Sequence, residues 1–262
     1  MRAVQIINLN RYSPVLRLAH SLVALQNRLT LQLTLAGFKK NLDPASLMRL
    51  GTPYGGWWIP RNTTSLTGPK VLVSAGLGHD TSFDVAMLGN GFTVIGLDPL
   101  IECCARAQRE FATLGDSEVL NLGISTFTGE QSFFQPKNPS HDSWSTINAQ
   151  EVTGGEVLAF QVISLADLIY RFPQIRNSIF TYLKMDIEGA ELAILKNSFG
   201  EVARFNFVGI EIDFLSLIPF LAIKKRVGGI FEARKILKEF EKSDFSLVHT
   251  ENFNFFWEKR AS

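Results

Sequence analysis

The chain has 262 residues, of which 46% are hydrophobic and 19% charged, enough apolar material for one large α/β domain with a substantial core. Its formal charge of +1 lacks the basic excess that nucleic-acid binding demands, so no nucleic-acid partner is expected. The charge is asymmetric, however: Arg2, Arg11, Arg17, Arg28, Lys39 and Lys40 precede the first acidic residue, Asp43, and taking these six from +1 leaves −5 on the remainder.

From Pro14 to Lys40, Leu18, Leu22, Leu25 and Leu29 mark one face of a predicted helix, with Arg17, His20, Asn27 and Arg28 at polar positions. Such a basic amphipathic helix could lie on an anionic membrane through residues 14–40, or pack on the rest of the chain or on a partner helix. No run of eighteen apolar residues and no compact signal-peptide core is present. The expectation is therefore a cytoplasmic protein, soluble or membrane-peripheral, with residues 1–50 as a helical extension and 51–262 as the catalytic domain. Gly51-Thr-Pro-Tyr-Gly-Gly-Trp-Trp-Ile-Pro60 breaks the helical pattern and predicts a packed lead-in loop. Tyr54, Trp57 and Trp58 there could stack on a sugar ring or fill the core.

Lys70 to Ala75 predicts a buried strand, Ser82 to Leu88 a helix, and Phe92 to Asp98 a second strand. A helix follows from Pro99 to Leu114, with Gly115 as its stop. Its adjacent Cys103 and Cys104 point their side chains apart, which disfavours a disulfide or metal site and suggests a reducing compartment. Glu118 to Gly123 predicts a third strand, Thr128-Gly129-Glu130 a hairpin turn into Gln131 to Gln135, and Pro136 to Gly155 a long lid-like loop. Val157 to Ile163 is a strand, and Ser164-Leu-Ala-Asp167 a capping-box-like helix start.

Ile179 to Leu183 predicts another buried strand, and Leu192, Ile194 and Leu195 a helix stopped by Gly200. Phe205 to Asp213 is a strand and Phe231 to Lys242 a helix, while Phe245 to Thr250 and Asn252 to Trp257 form a terminal hairpin. Strands alternating with helices predict a Rossmann-like, doubly wound α/β fold with seven strands, mostly parallel, and a C-terminal antiparallel hairpin.

Two strand ends carry a nucleotide-pocket signature. Gly76 and Gly78 follow the first strand, where absent side chains admit a ligand to the backbone. Asp98, at the end of the second, can accept two hydrogen bonds from ribose hydroxyls. A dinucleotide fingerprint would need glycine at position 81, where this chain has Thr81, and Asp80 would repel a pyrophosphate at the helix mouth. The same carboxylate suits the ammonium of a methionine moiety, which favours S-adenosylmethionine over a nicotinamide cofactor.

Lys184-Met-Asp-Ile-Glu-Gly-Ala-Glu191 then sets three carboxylates and a lysine where a buried strand gives way to a helix. Asp186 is the leading general-base candidate by position, with His141 and Asp142 in the lid next. Lys184, two residues before Asp186, could project to the same side and pair with it, while Glu188 and Glu191 order the helix start. Asp186, Glu188 and Glu211 could also offer oxygens to Mg²⁺, although a divalent metal is not the favoured reading. His79 could cover the cofactor or stand exposed in its loop.

These residues resemble the FkbM-type methyltransferases of the class I, S-adenosylmethionine-dependent fold, over roughly residues 50 to 257. The resemblance rests on Leu183 to Glu191, the Gly-x-Gly-x-Asp-x-Ser-Phe-Asp pattern of Gly76 to Asp84, Ile95-Gly-Leu-Asp-Pro99, Val208-Gly-Ile-Glu-Ile212 and the Tyr-Gly-Gly-Trp of the lead-in. It implies that Gly76, Gly78 and Asp80 surround the methionine part, that Asp98 holds the ribose, and that Leu122 to Ser125 lie near the adenine, with Leu122 and Ser125 bounding that contact. It further implies O-methylation of a hydroxyl on a glycan or small metabolite. Ser74, where many class I enzymes carry an acid, and Asp213, where related sequences often have histidine, depart from the pattern. Two other readings stay open: a non-catalytic S-adenosylmethionine-binding or membrane-associated interaction protein, and a nicotinamide-dependent reductase.

Overall fold

The computed structural model describes residues 14–38, 44–137, 144–147, 153–217 and 223–260. Helix α1 (Pro14–Leu35) leads into a small antiparallel sheet of β1 (Leu47–Leu50) and β2 (Trp57–Pro60). The expected lead-in loop is thus a hairpin, whose turn is tied down by Arg49 donating to the carbonyls of Thr52 and Pro53.

The chain then alternates as β3 (Lys70–Ala75), α2 (Ser82–Gly89), β4 (Thr93–Leu97), α3 (Ile101–Phe111) and β5 (Ser117–Leu120). The single strand expected over 118–123 is split, because the Asn121 amide donates to the carbonyls of Asp98 and Pro99 and turns the chain around the end of β4. β6 (Gly123–Ser125) therefore belongs to a separate three-stranded sheet with β7 (Gly129–Pro136) and β8 (Thr153–Ser164). In that sheet β8 lies between the other two, so Thr128-Gly129 closes no hairpin. Thr128 instead accepts from the Ser164 amide and donates to Asp167, bracing the start of α4 (Leu165–Arg171). The Ser164 hydroxyl caps that helix by accepting from the Asp167 amide at 3.1 Å, as its sequence predicts.

After α5 (Gln174–Asn177) come β9 (Phe180–Met185), α6 (Glu191–Asn197), α7 (Phe199–Val202), β10 (Phe207–Glu211), α8 (Asp213–Leu217), α9 (Ile223–Lys242), β11 (Phe245–Glu251) and β12 (Asn254–Lys259). Gly200 stops nothing: α6 ends at Asn197, and Ser198 closes it and opens the helix that contains Gly200.

The main sheet runs β11-β12-β10-β9-β3-β4-β5, with β12 antiparallel to both its neighbours and the remaining pairs parallel. Every residue of β3 and β9 is buried, as strands covered on both faces require. Their two-residue period divides the core. Val71, Val73, Leu183 and Met185 join the layer that contains α4, α6 and α9, whereas Leu72 and Tyr182 join the layer of α2, α3 and the β1–β2 hairpin. Cys103 and Cys104 are free and buried in α3.

Helix α1 sits on α9 with the opposite face to the one its leucines suggest. Thr30, Thr34 and Leu35 are buried, while Leu22, Leu25, Leu29 and Leu33 are each 50–57% exposed. Its last carbonyls, which a helix leaves unpaired, are taken up by Arg234 of α9, which bonds to Leu33, to Thr34 at 3.1 Å and to Ala36 at 2.8 Å.

Candidate active site

Strand order reverses between β3 and β9, and in sheets of this kind the diverging loops at such a point leave a crevice beyond the strand ends. Gly76 and Asp186 are the residues that leave these two strands. The Asp186 amide donates to Ala75 (3.0 Å) and the Gly76 amide to Leu97 (2.9 Å), which draws the three strand ends together. So close is the approach that a Cβ on Gly76 would lie 1.8 Å from the Asp186 carbonyl oxygen, and the φ of +83° at Gly76 suits glycine as well.

Asp98 secures the glycine turn from the end of β4. One carboxylate oxygen accepts from the amides of Leu77 and Gly78, both at 3.0 Å, and the other from Leu100 at 2.8 Å. Asp80 accepts from the Ser82 amide at 2.9 Å and from the Thr52 hydroxyl, linking the lead-in turn to the start of α2. Partial burial pushes its carboxyl upward, but hydrogen bonds from Ser82, Thr52 and Gly55 outweigh this and hold it below the ordinary range.

Lys184 does not turn to Asp186. Its ammonium donates to the Gly76 carbonyl at 2.6 Å and lies 5.2 Å from the centre of the Trp57 ring. It is 4% exposed and lies in the sheet beside Ser74. Nearby, wholly buried Asp84 of α2 is raised by desolvation, with the Lys184 charge and the Ser74 hydroxyl partly offsetting the rise. The buried lysine thus holds the glycine turn from beneath while compensating a buried acid.

Beyond Asp186 the backbone is contorted. Glu188 has φ +56° and Gly189 φ +110°, and Glu191 reaches back from α6 to accept from Gly189 (2.9 Å) and Ile187 (3.3 Å). The 144–147 segment docks here: the Ser145 hydroxyl (2.6 Å) and Thr146 amide (3.2 Å) both donate to the Glu188 carbonyl. Asp186, Glu211 and Asp213 bring carboxylate oxygens within 4.8 Å of one another, close enough for a hard cation to span. This trio differs from the expected one, with Asp213 in place of Glu188. Burial also favours protons on Asp213 and on the adjoining Glu191: desolvation and then Glu188, Glu191 and neighbouring acids raise Asp213, and desolvation raises Glu191 to about 7.

Two cavities meet at the junction. The larger, about 310 Å³, is bounded by Asp80, Lys184, Glu211 and Tyr54, with α1 contributing Asn27 and Arg28 and the β11–β12 turn contributing Glu251 and Asn254. The smaller, about 40 Å³, lies among Gly78, Asp98, Gly123, Ile124, Phe133 and Trp144. Gly76 and Asp186 line both. The larger has the size of a small-ligand site.

Of the residues singled out in the sequence, Gly76, Gly78, Asp80, Asp98, Lys184 and Asp186 therefore converge. Leu122 and Ser125 line neither cavity; the Ser125 hydroxyl donates to Gln131, and the intervening Gly123 and Ile124 face the smaller cleft instead. His79 is exposed and lines neither. His141 and Asp142 lie outside the described residues. Trp58 donates to Glu251 and packs against His249, while Trp57 meets Phe256 edge to face in the core and, with Tyr54, also lines the larger cavity. Arg49, which lines that cavity and reaches Glu251 at 3.5 Å, and the cavity-lining Asn254 went unpredicted, since neither stands in a local motif. Asp84 did leave a signal, an acid between buried positions of an apolar helix.

A search of curated proteins finds no match to this chain. Comparison with protein families matches residues 73–247 to the Methyltransferase FkbM domain, a span from the middle of β3 into β11 that takes in the glycine turn, Asp98 and the Asp186 turn. With that match over most of its length and the seven-stranded sheet that carries it, the chain belongs to the FkbM methyltransferase family.

Proposed function

We propose that this methyltransferase takes its methyl group from S-adenosylmethionine and places it on an oxygen, a hydroxyl of a glycan or other small metabolite. The observation that carries the reading is the position of Gly76 and Asp186 between two cavities, with Asp98 at one side and Asp80 at the other. The residues fit the donor: Gly76 lines both cavities without a side chain, Asp98 is an acceptor suited to ribose hydroxyls, and Asp80 is an anion suited to an ammonium. When bound, S-adenosylmethionine supplies an electrophilic methyl on a sulfonium.

The chain's contribution is chiefly to hold acceptor and donor in line. In this reading the Asp186 carboxylate receives the proton of an acceptor hydroxyl in the larger cavity, a role supported by Asp186 lining both cavities. Lys184 is a positioning residue, fixing the glycine turn through the Gly76 carbonyl. Calorimetry with S-adenosylhomocysteine and NADH separates the cofactor readings; nicotinamide binding without any response to S-adenosylhomocysteine would overturn the donor assignment. A labelled-methyl transfer screen against cell extract tests the chemistry: Asp186→Asn should retain S-adenosylhomocysteine binding and slow turnover, and unchanged turnover removes Asp186 as the base.

A further inference from the structure

We propose that α1 docks this methyltransferase on an anionic lipid bilayer, with its leucine face inserted at the interface. An amphipathic helix on a globular domain ordinarily turns its apolar stripe to the core. Here Leu22, Leu25, Leu29 and Leu33, spaced three and four residues apart on one face, are 57%, 55%, 50% and 57% exposed, while Thr30 and Thr34 point inward at 3% and 0%. The arrangement is anchored: Arg234 of α9 binds the carbonyls that end the helix, and buried Leu35 and Phe38 follow into the core. Folding thus presents a row of four leucines to the surroundings.

Charge selects the occupant. Every Asp, Glu, Lys and Arg among residues 1–42 is cationic, six in all, which complements an anionic lipid surface. A second copy seated on the same stripe through a twofold axis would set identical cationic segments against each other, so self-association is disfavoured. No helix among the described residues is long and apolar enough to cross a membrane, so the contact is interfacial. Because α1 also walls the larger cavity through Ala24, Asn27, Arg28 and Leu31, docking would set that wall at the lipid surface.

The test is flotation of the full-length protein with phosphatidylcholine vesicles, with and without phosphatidylserine, at low and high salt. Wild type should float with the anionic vesicles, and less at high salt. Leu25→Glu/Leu29→Glu and the uncharged Leu25→Ser/Leu29→Ser should each lose about tenfold or more in partitioning while keeping the wild-type melting temperature. The wild-type salt and lipid comparison stands even if a variant fails to fold. Absence of wild-type flotation on anionic vesicles, or equal flotation of folded variants, overturns the proposal. A wild-type dimer in sedimentation that the variants dissociate, without lipid binding, overturns it in favour of a second copy as the occupant.

Discussion

Gly76→Ala is the sharpest single perturbation of the strand-end junction. Alanine at φ +83° costs about 1–2 kcal/mol from the backbone alone. Its Cβ would stand 1.8 Å from the Asp186 carbonyl oxygen, where ordinary contact begins at 3.4 Å, so the two chain segments must part by about 1.6 Å. That movement strains the Asp186 amide bond to Ala75 (3.0 Å) and the Lys184 bond to the Gly76 carbonyl (2.6 Å), worth about 1 and 2 kcal/mol respectively. The expected loss is about 4 kcal/mol, or roughly 8–16 °C in melting temperature for a domain of this size. Gly200→Ala is the control, since its Cβ meets nothing within 4 Å on a short helix; it should be neutral or stabilise by up to about 1 kcal/mol. Differential scanning fluorimetry reads both, and calorimetry at low temperature should find S-adenosylhomocysteine binding lost in Gly76→Ala. A Gly76→Ala protein melting within about 2 °C of wild type, with binding intact, would refute the argument from close approach.

Three further outcomes follow from the buried charges. Burial lifts Glu191 from 4.5 to about 7, so the folded chain keeps a proton there that the unfolded chain releases; the Glu191 contribution to stability should fall as pH rises from about 4.5 to 7 and level off above. Glu191→Gln should make the melting temperature less dependent on pH across that window and raise stability at pH 8 by up to about 3 kcal/mol; a lower pH 8 stability would contradict this. Lys184→Met removes the charge that compensates buried Asp84 and the donor to the Gly76 carbonyl, which should cost about 3–5 kcal/mol. Adding Asp84→Asn should recover part of that in denaturant titrations, and strict additivity would show that the two do not interact. Asp98→Asn replaces one carboxylate oxygen with an amide donor, so either the Leu77 and Gly78 amides or the Leu100 amide loses its acceptor; S-adenosylhomocysteine affinity should fall about tenfold or more and stability by about 1–3 kcal/mol. Unchanged affinity would separate Asp98 from the cofactor site.

The parts of the site legible in the sequence lie at the ends of central strands, where a charge or a glycine interrupts a run that burial keeps apolar. Gly76, Asp98 and Asp186 all announce themselves in this way. Arg49, Glu251 and Asn254 do not, because they reach the larger cavity from a hairpin before the first central strand and another after the last. Nothing local distinguishes an exposed arginine from one that clamps a distant turn. The strand at 118–123 misled for a similar reason: Val119, Leu120 and Leu122 read as one strand around Asn121, and the break comes from Asn121 bonding to carbonyls of a different strand end. Helix α1 shows the limit of periodicity itself. The spacing defines a leucine face correctly, but the core accepted the other one, through two threonines and the clamp of Arg234. Which face a helix buries is settled by the surface it meets, and that surface lies some two hundred residues away.

Lys184 shows how a sound local rule fails at a boundary. Alternation in a strand puts residues two apart on one side, which suggested a pair with Asp186. Strand β9, however, ends at Met185, and Asp186 has already entered the turn, where alternation no longer governs direction. Within the strand the rule holds: Lys184 shares its face with Tyr182, and its register neighbour Ser74 shares that face with Leu72 on β3. That is the layer of α2, whose one buried acid is Asp84. The lysine therefore acts inward, on the support of the glycine turn, and leaves Asp186, which lines both cavities, to the acidic cluster with Glu211 and Asp213.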